Sequence, residues 1–199
     1  MPKVVDRDER RHTIVAAAWR LIAARGIDGV NMRDLAAEAG YTNGALSRYF
    51  SGKDEILRAA FELVLEETNS RIESSVRTHR GLKALRKVCV EIMPLTEETR
   101  LEARIAISLW QRALTDRDME KSNNDIVGQW SSRIAAHLAE AVEDGVLRDI
   151  DVDVHASLIM TTIIGLQVTA VLGHSGTSRK AQLALIDTIL DGCRANTSV

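Results

Sequence analysis

The sequence predicts an all-α fold in two parts: a small N-terminal unit of three helices, and a larger helical C-terminal part. Three observations carry this. Apolar residues recur at helical spacing along most of the 199 residues, and β-branched residues nowhere alternate as a strand requires. The only prolines are Pro2 and Pro94, so nothing interrupts long helices elsewhere. Gly40-Tyr41-Thr42 joins two short helical patterns with the length and chemistry of a helix-turn-helix turn.

The first helix spans about Glu9 to Arg25, with Ile14, Ala18, Leu21 and Ile22 as its buried stripe and Gly26 as its stop. Residues 1–8 are polar and are expected to fray. Asn31 caps the second helix and Asp34, three residues on, completes a capping pair. Gly40 ends it, because glycine enters the left-handed region at low steric cost. Thr42 caps a third helix from Asn43 to Phe50, with a polar front of Asn43, Gly44, Ser47 and Arg48 and an apolar back of Leu46 and Phe50. Ser51 and Asp54 then cap a fourth helix from Lys53 to about His79. Its first half carries Ile56, Leu57, Ala60, Phe61, Val64 and Leu65; its polar second half is expected to be solvent-exposed or loosely packed.

The next helix runs from Leu82 to Met93 and is closed by Pro94. Another follows to Leu114 through Ala103, Ile107 and Trp110. Thr115 and Asp118 are read as the cap of a long helix ending at Asp144 and Gly145, with Ile126, Trp130, Ile134, His137, Leu138 and Val142 in register. Residues 151–173 are apolar nearly all round, the mark of a helix buried on more than one side. A membrane span of about 20 residues is the rival reading. Against it stand His155, Thr161, Thr162 and Gln167 and the lack of a flanking aromatic belt. The last helix, about 178–194, carries Leu183, Ile186, Ile189 and Leu190 on one face.

Composition is that of a water-soluble globular chain, 45% hydrophobic and 27% charged. The net charge of −2 gives no global sign of nucleic-acid binding, so the placement of charge matters more. Arg33, Arg48 and Lys53 surround the helix-turn-helix, and Lys3, Arg7, Arg10 and Arg11 crowd the N-terminus. The N-terminal stretch MPKVVDRDERRH lacks the apolar core of a signal peptide, which points to the cytoplasm. Cys89 and Cys193 form no disulfide framework, and the five scattered histidines show no metal-ligand spacing. Neither a metal nor another cofactor is implied. No nucleophile–base pair or phosphate loop suggests an enzyme.

From about Arg10 to Leu57 the chain resembles the N-terminal domain of the TetR family of bacterial transcriptional regulators. The matching pieces are AAAWRLIAARGIDGVNMRDLAAEAG, YTNGALSRYF and SGKDEIL. One departure is Ser47, where the family usually has an aromatic. The stretch from Pro94 to Gly173, with TRLEARIAISLWQRALTD and GVLRDIDVD, is more loosely similar to the branch that includes choline-responsive regulators. The resemblance implies nine helices, a homodimer, a near-palindromic double-stranded operator and a small-molecule effector that the sequence does not name. A partner-binding module that has lost DNA binding is the alternative, against which Arg33, Thr42, Arg48 and Lys53 stand.

On this reading residues 1–55 bind DNA, and residues 56–199 bind ligand and dimerise through about 151–173 and 178–194. Asn43 and Gly44, at the start of the recognition helix, are expected at base edges, with Ser47 beside them on the polar front. Thr42, Tyr49 and Lys53 are expected at the phosphates, Arg48 at a guanine or, by preference, a phosphate, and Arg33 is expected to reach the DNA from the second helix. Phe61, Cys89, Met93, Ile107, Trp110, Gln111, Trp130, Ile134, His137 and Ile164 are the candidates for an adaptable, mostly apolar effector pocket. Each is also suited to plain core.

Overall fold

The computed structural model describes residues 7–194; Lys3, one of the basic N-terminal residues, lies outside them. Nine helices make up the described part: α1 (Arg7–Arg25), α2 (Met32–Glu38), α3 (Asn43–Leu46), α4 (Lys53–Val76), α5 (Gly81–Ile92), α6 (Glu97–Ala113), α7 (Arg117–Glu143), α8 (Val152–Val171) and α9 (Arg179–Gly192). Helix α1 packs on α2, α4 and α6, and α7 packs on α5, α6 and α8. Arg7 and Asp8 already belong to α1.

Local sequence explains most boundaries. The Asn31 side chain accepts the N–H groups of Arg33 and Asp34, and the Asp34 carboxylate accepts the Asn31 N–H, so the capping box closes in both directions. Gly40 follows at φ +72°, where a side chain would be strained.

Other boundaries correct the sequence reading. Helix α3 stops at Leu46, not Phe50, because the following amides of Arg48 and Tyr49 bond three residues back and tighten the turn. Helix α4 ends at Val76, not His79. Ser51 pairs with Glu55 rather than Asp54: the carboxylate accepts both its N–H (2.7 Å) and its hydroxyl (2.9 Å). Asp116, not Thr115, caps α7, its carboxylate accepting the N–H groups of Asp118 and Met119. The buried side of α6 is Glu102, Ala103, Ile105, Ala106, Ser108 and Leu109; Leu114, placed in its apolar stripe by periodicity, is 86% exposed. The polar half of α4 is not a wet tail either. Thr68 and Ile72 are buried there, and Arg71 is held by two carboxylates from other helices.

Two apolar cores result. One joins α1–α3, the first half of α4 and the end of α6, through Ile14, Leu35, Leu46, Phe50, Ile56, Ile105 and Leu109. The other joins α5, α7, α8 and α9 around Leu85, Ile134, Leu138, Ile159 and Ile186, and reaches Ile72 of α4. Helix α4 therefore enters both cores, and α6 is anchored in the first. The expected division at residue 55 cuts a helix whose next two turns still belong to the N-terminal core.

Candidate functional site

The helix-turn-helix offers a polar surface. Thr42, Asn43, Gly44, Ser47, Arg48 and Arg33 are all exposed. The Thr42 hydroxyl accepts the Ala45 N–H at 3.2 Å and so fixes the start of α3. Ser47 turns inward on its own helix, donating to the Asn43 carbonyl at 2.9 Å. The side chains of Asn43, Arg33 and Arg48 are left with their donors toward solvent. An open groove between α2 and α3 is walled by Arg33, Tyr41 and Asn43.

The end of the recognition helix is held from α1. Arg11 donates to the Tyr49 carbonyl at 2.6 Å, pairs with Glu55 at 2.8 Å and lies 4.3 Å over the Phe50 ring. Arg7 donates to the Arg48 carbonyl, and the Tyr49 ring stands edge-on to Tyr41. Hydrogen bonds from Ser51 and the charge of Arg11 hold the Glu55 carboxyl below its usual range.

Lys53 finds its anion within the chain. Its Nζ donates to the Ile27 carbonyl at 3.1 Å and stands 3.6 Å from Asp28. A lysine has three donors, so donors are left for a phosphate. Asp28 also accepts from Gln111 and Arg112, and Arg112 reaches Asp54 at 3.2 Å. The end of α6 is thus fastened to the N-terminal unit through Arg112 and Gln111, with Lys53 sharing Asp28.

A second site lies between the cores. Helices α4, α5, α6, α7 and α8 enclose a cavity of about 30 Å³, walled by Phe61, Val64, Trp110, Ile126, Trp130 and Met160 among others. Among the described residues, Glu102 is the sole ionisable side chain on its wall. Both indole N–H groups are engaged, Trp110 with Asn123 at 2.8 Å and Trp130 with Asn69 at 3.2 Å. Gln167 is tied to the Ile92 carbonyl. What remains for a guest is a mostly aromatic and aliphatic wall with the neutral polar side chains of Thr68, Thr99, Asn123 and Gln167 and one carboxylate.

That carboxylate is 9% exposed and bound by both Arg71 nitrogens, at 3.0 and 2.8 Å. Arg71 also donates to Glu91 at 3.3 Å, and Glu91 accepts the Ser75 hydroxyl at 2.8 Å. Burial nevertheless outweighs Arg71 and pushes the Glu102 carboxyl up, with Glu67 and Glu98 adding negative potential.

Of the residues expected in a pocket, Phe61, Trp110 and Trp130 meet at this cavity. Cys89, Met93 and Ile134 instead sit in the second core, with half-buried Ile164 packed against it. Burial pushes the Cys89 thiol up to about 12, so it packs as a small inert hydrophobe. Ile107 is half-buried off the cavity wall. Gln111 is exposed and reaches Asp28, and His137 pairs with Glu140 at 2.9 Å. Sequence reasoning missed Glu102 and its partner Arg71. One signal was present: Glu102, Ala106 and Trp110 recur every four residues and so share a helix face.

Comparison with known proteins adds three relatives. Residues 14–60 match the bacterial regulatory proteins of the tetR family, and residues 82–195 match the BetI-type transcriptional repressor C-terminal domain. The HTH-type transcriptional regulator PksA of Bacillus subtilis (strain 168) is 33% identical over 173 residues, 86% of this chain and 83% of that protein. The HTH-type transcriptional regulator BetI of Burkholderia lata is 24% identical over 198 residues, covering 96% and 97%. Among solved structures, a transcriptional regulator from Saccharomonospora viridis in complex with choline superposes with a TM-score of 0.87 at 25% identity, covering 92% of this chain and 96% of that one.

Proposed function

Because the chain belongs to the TetR family of bacterial regulatory proteins and carries a BetI-type C-terminal domain, we propose that it is a repressor that leaves a near-palindromic operator when a small cation enters the cavity between α4 and α8. It is a ligand-responsive DNA-binding regulator and not an enzyme. The single observation that carries the reading of its effector is Glu102, a buried carboxylate and the one charged group on a mostly aromatic and aliphatic wall among the described residues. Aromatic rings with a carboxylate suit a compact cation such as a quaternary ammonium, through cation–π attraction and charge. The choline held by the Saccharomonospora viridis regulator is a molecule of that class.

The cavity as it stands, about 30 Å³, holds a water or two and no organic molecule. Binding therefore has to move its walls. One wall is α4, which begins directly after the recognition helix; another is α6, whose far end is fastened to Asp28 and Asp54. A displaced wall shifts the population away from the DNA-competent arrangement.

The operator is read by two copies. Helix α8 is long and apolar enough to cross a membrane, yet it packs on α6, α7 and α9. Its other side leaves Val154 60% and Leu158 48% exposed, in line with Thr161 and Gly165, and Leu185 is 46% exposed on α9. Two such faces make an isologous four-helix contact, placing two recognition helices on half-sites one or more turns of duplex apart. We place the dimer in the cytoplasm, with no membrane involved. A Cβ at Gly165 meets nothing within 4 Å in the single chain, so Gly165→Leu spares the protomer and is expected to weaken the dimer. Analytical ultracentrifugation at micromolar concentration reads this; a monomeric unmutated protein would end the dimer reading. Gel shifts on the promoter of its own gene, repeated with choline, test the whole: retardation without choline and release with it are expected. No retardation removes the repressor reading.

A further inference from the structure

Around Arg71 the charges do not balance. One guanidinium serves two carboxylates, Glu102 of α6 and Glu91 of α5, and it is fixed to α4, where it also donates to Thr68. Glu102 borders the cavity and Glu91 does not. The cluster thus holds one negative charge beyond its cations, and the carboxylate facing the cavity is the more deeply buried of the two, 9% exposed against 22%. A buried carboxylate short of counter-charge takes up a proton or a cation. Glu91 is ready to keep Arg71, since the 3.3 Å contact exists already and Ser75 orients the carboxylate.

We propose that Arg71 is a movable counter-ion: a cationic effector takes Glu102, and Arg71 passes wholly to Glu91. The inference rests on the cationic reading of the cavity and adds how occupancy is sensed. The exchange gives up the tie between α4 and α6 and keeps the existing one between α4 and α5. Because α6 is fastened to the N-terminal unit at Asp28, the trade loosens α4 from a helix tied to the DNA-binding unit. No bond is made or broken covalently, and the charge gained by the cluster is the effector's own.

The test is a choline chloride titration of the full-length protein at constant ionic strength, followed by tryptophan fluorescence, with tetramethylammonium as a second probe. Arg71→Met removes the competitor and is expected to tighten choline binding about tenfold. Arg71→Lys keeps a charge without the two-pronged grip and tightens it less, which secures the result if Arg71→Met folds poorly. Glu91→Gln, outside the cavity wall, is expected to weaken binding severalfold, and this effect disappears in the Arg71→Met background. Unchanged or weaker binding in both Arg71 variants, or a Glu91→Gln effect that persists without Arg71, overturns the movable counter-ion while leaving the cationic site intact. If neither cation binds the unmutated protein, or Glu102→Gln binds both as well as it does, the cationic reading itself fails and takes this inference with it.

Discussion

Two charged clusters sit at opposite ends of α6, and they are built differently. At the C-terminal end, Lys53 and Arg112 face Asp28 and Asp54, two charges of each sign, with both carboxylates more than half exposed. Toward its N-terminal end, Arg71 alone faces Glu91 and Glu102, and Glu102 is nearly buried. The first cluster is neutral and wet, where an ion pair contributes about 0–1 kcal/mol and mainly fixes position. The second carries an uncompensated charge where water cannot screen it, so an added cation changes its energy strongly. A fastening and a sensor are thus told apart by charge balance and burial, although both are made of the same residue types.

The largest expected effect strikes the sensor. Glu102→Gln keeps the shape and removes the charge, and is expected to cost about 2–5 kcal/mol of cation affinity, a loss of at least thirtyfold, while binding of the operator without effector persists. Equal choline affinity in variant and parent, by calorimetry, would erase the distinction between the two clusters.

The next effect lies on the DNA side. Asn43→Ala is expected to relax preference at one base pair per half-site, costing about 1–3 kcal/mol for the preferred base. An operator base-substitution series measures it, and an unchanged preference removes Asn43 from the base edge. Lys53 sharpens the reading of the wet cluster. With one donor committed to Ile27 and Asp28 only an ion pair at 3.6 Å, a remaining donor is expected at a phosphate, so Lys53→Ala lowers the magnitude of the salt slope by about 1 on every sequence alike. An unchanged slope with a lowered melting temperature would make it a fastening alone.

The smallest effect is one of pH. Glu55 has its carboxyl held low by Ser51 and Arg11, so the folded state binds this proton less readily than the unfolded chain. Its stabilising contribution is full above the ordinary glutamate value of about 4.3 and is lost as pH falls through the lower folded value. Glu55→Gln is expected to flatten the acid side of the melting curve between roughly pH 5 and 3. A parent and variant that lose stability in parallel over that window would show that Glu55 does not couple Arg11 to the recognition helix.

What was legible beforehand shares one property, short range. The Asn31–Asp34 capping box, the Gly40 stop, Thr42 at the start of α3 and the order of the helices depend on residues three or four apart, whose geometry the backbone settles locally. The family motif lies in that same stretch. Where local rules compete, they misled: Ser51 met Glu55 rather than Asp54, and Asp116 displaced Thr115, since either choice satisfies the same free N–H groups.

The cavity is a different matter. Phe61, Trp110 and Trp130 were expected there because they come from different helices and suit an adaptable apolar cavity, but periodicity tells only that a residue faces inward, not which neighbour it meets. So Cys89, Met93 and Ile134 entered a different core, and Leu114, periodic with the rest, ended in solvent. Arg71 and Glu102 stand 31 residues apart, and nothing within reach of either distinguishes a buried pair from two wet charges. Helix and turn chemistry settle the order and ends of the elements before packing begins. Which charge lies opposite which, and at what depth, depends on how α4, α5 and α6 cross, and low-dielectric burial then turns an ordinary glutamate into the group proposed to meet the effector.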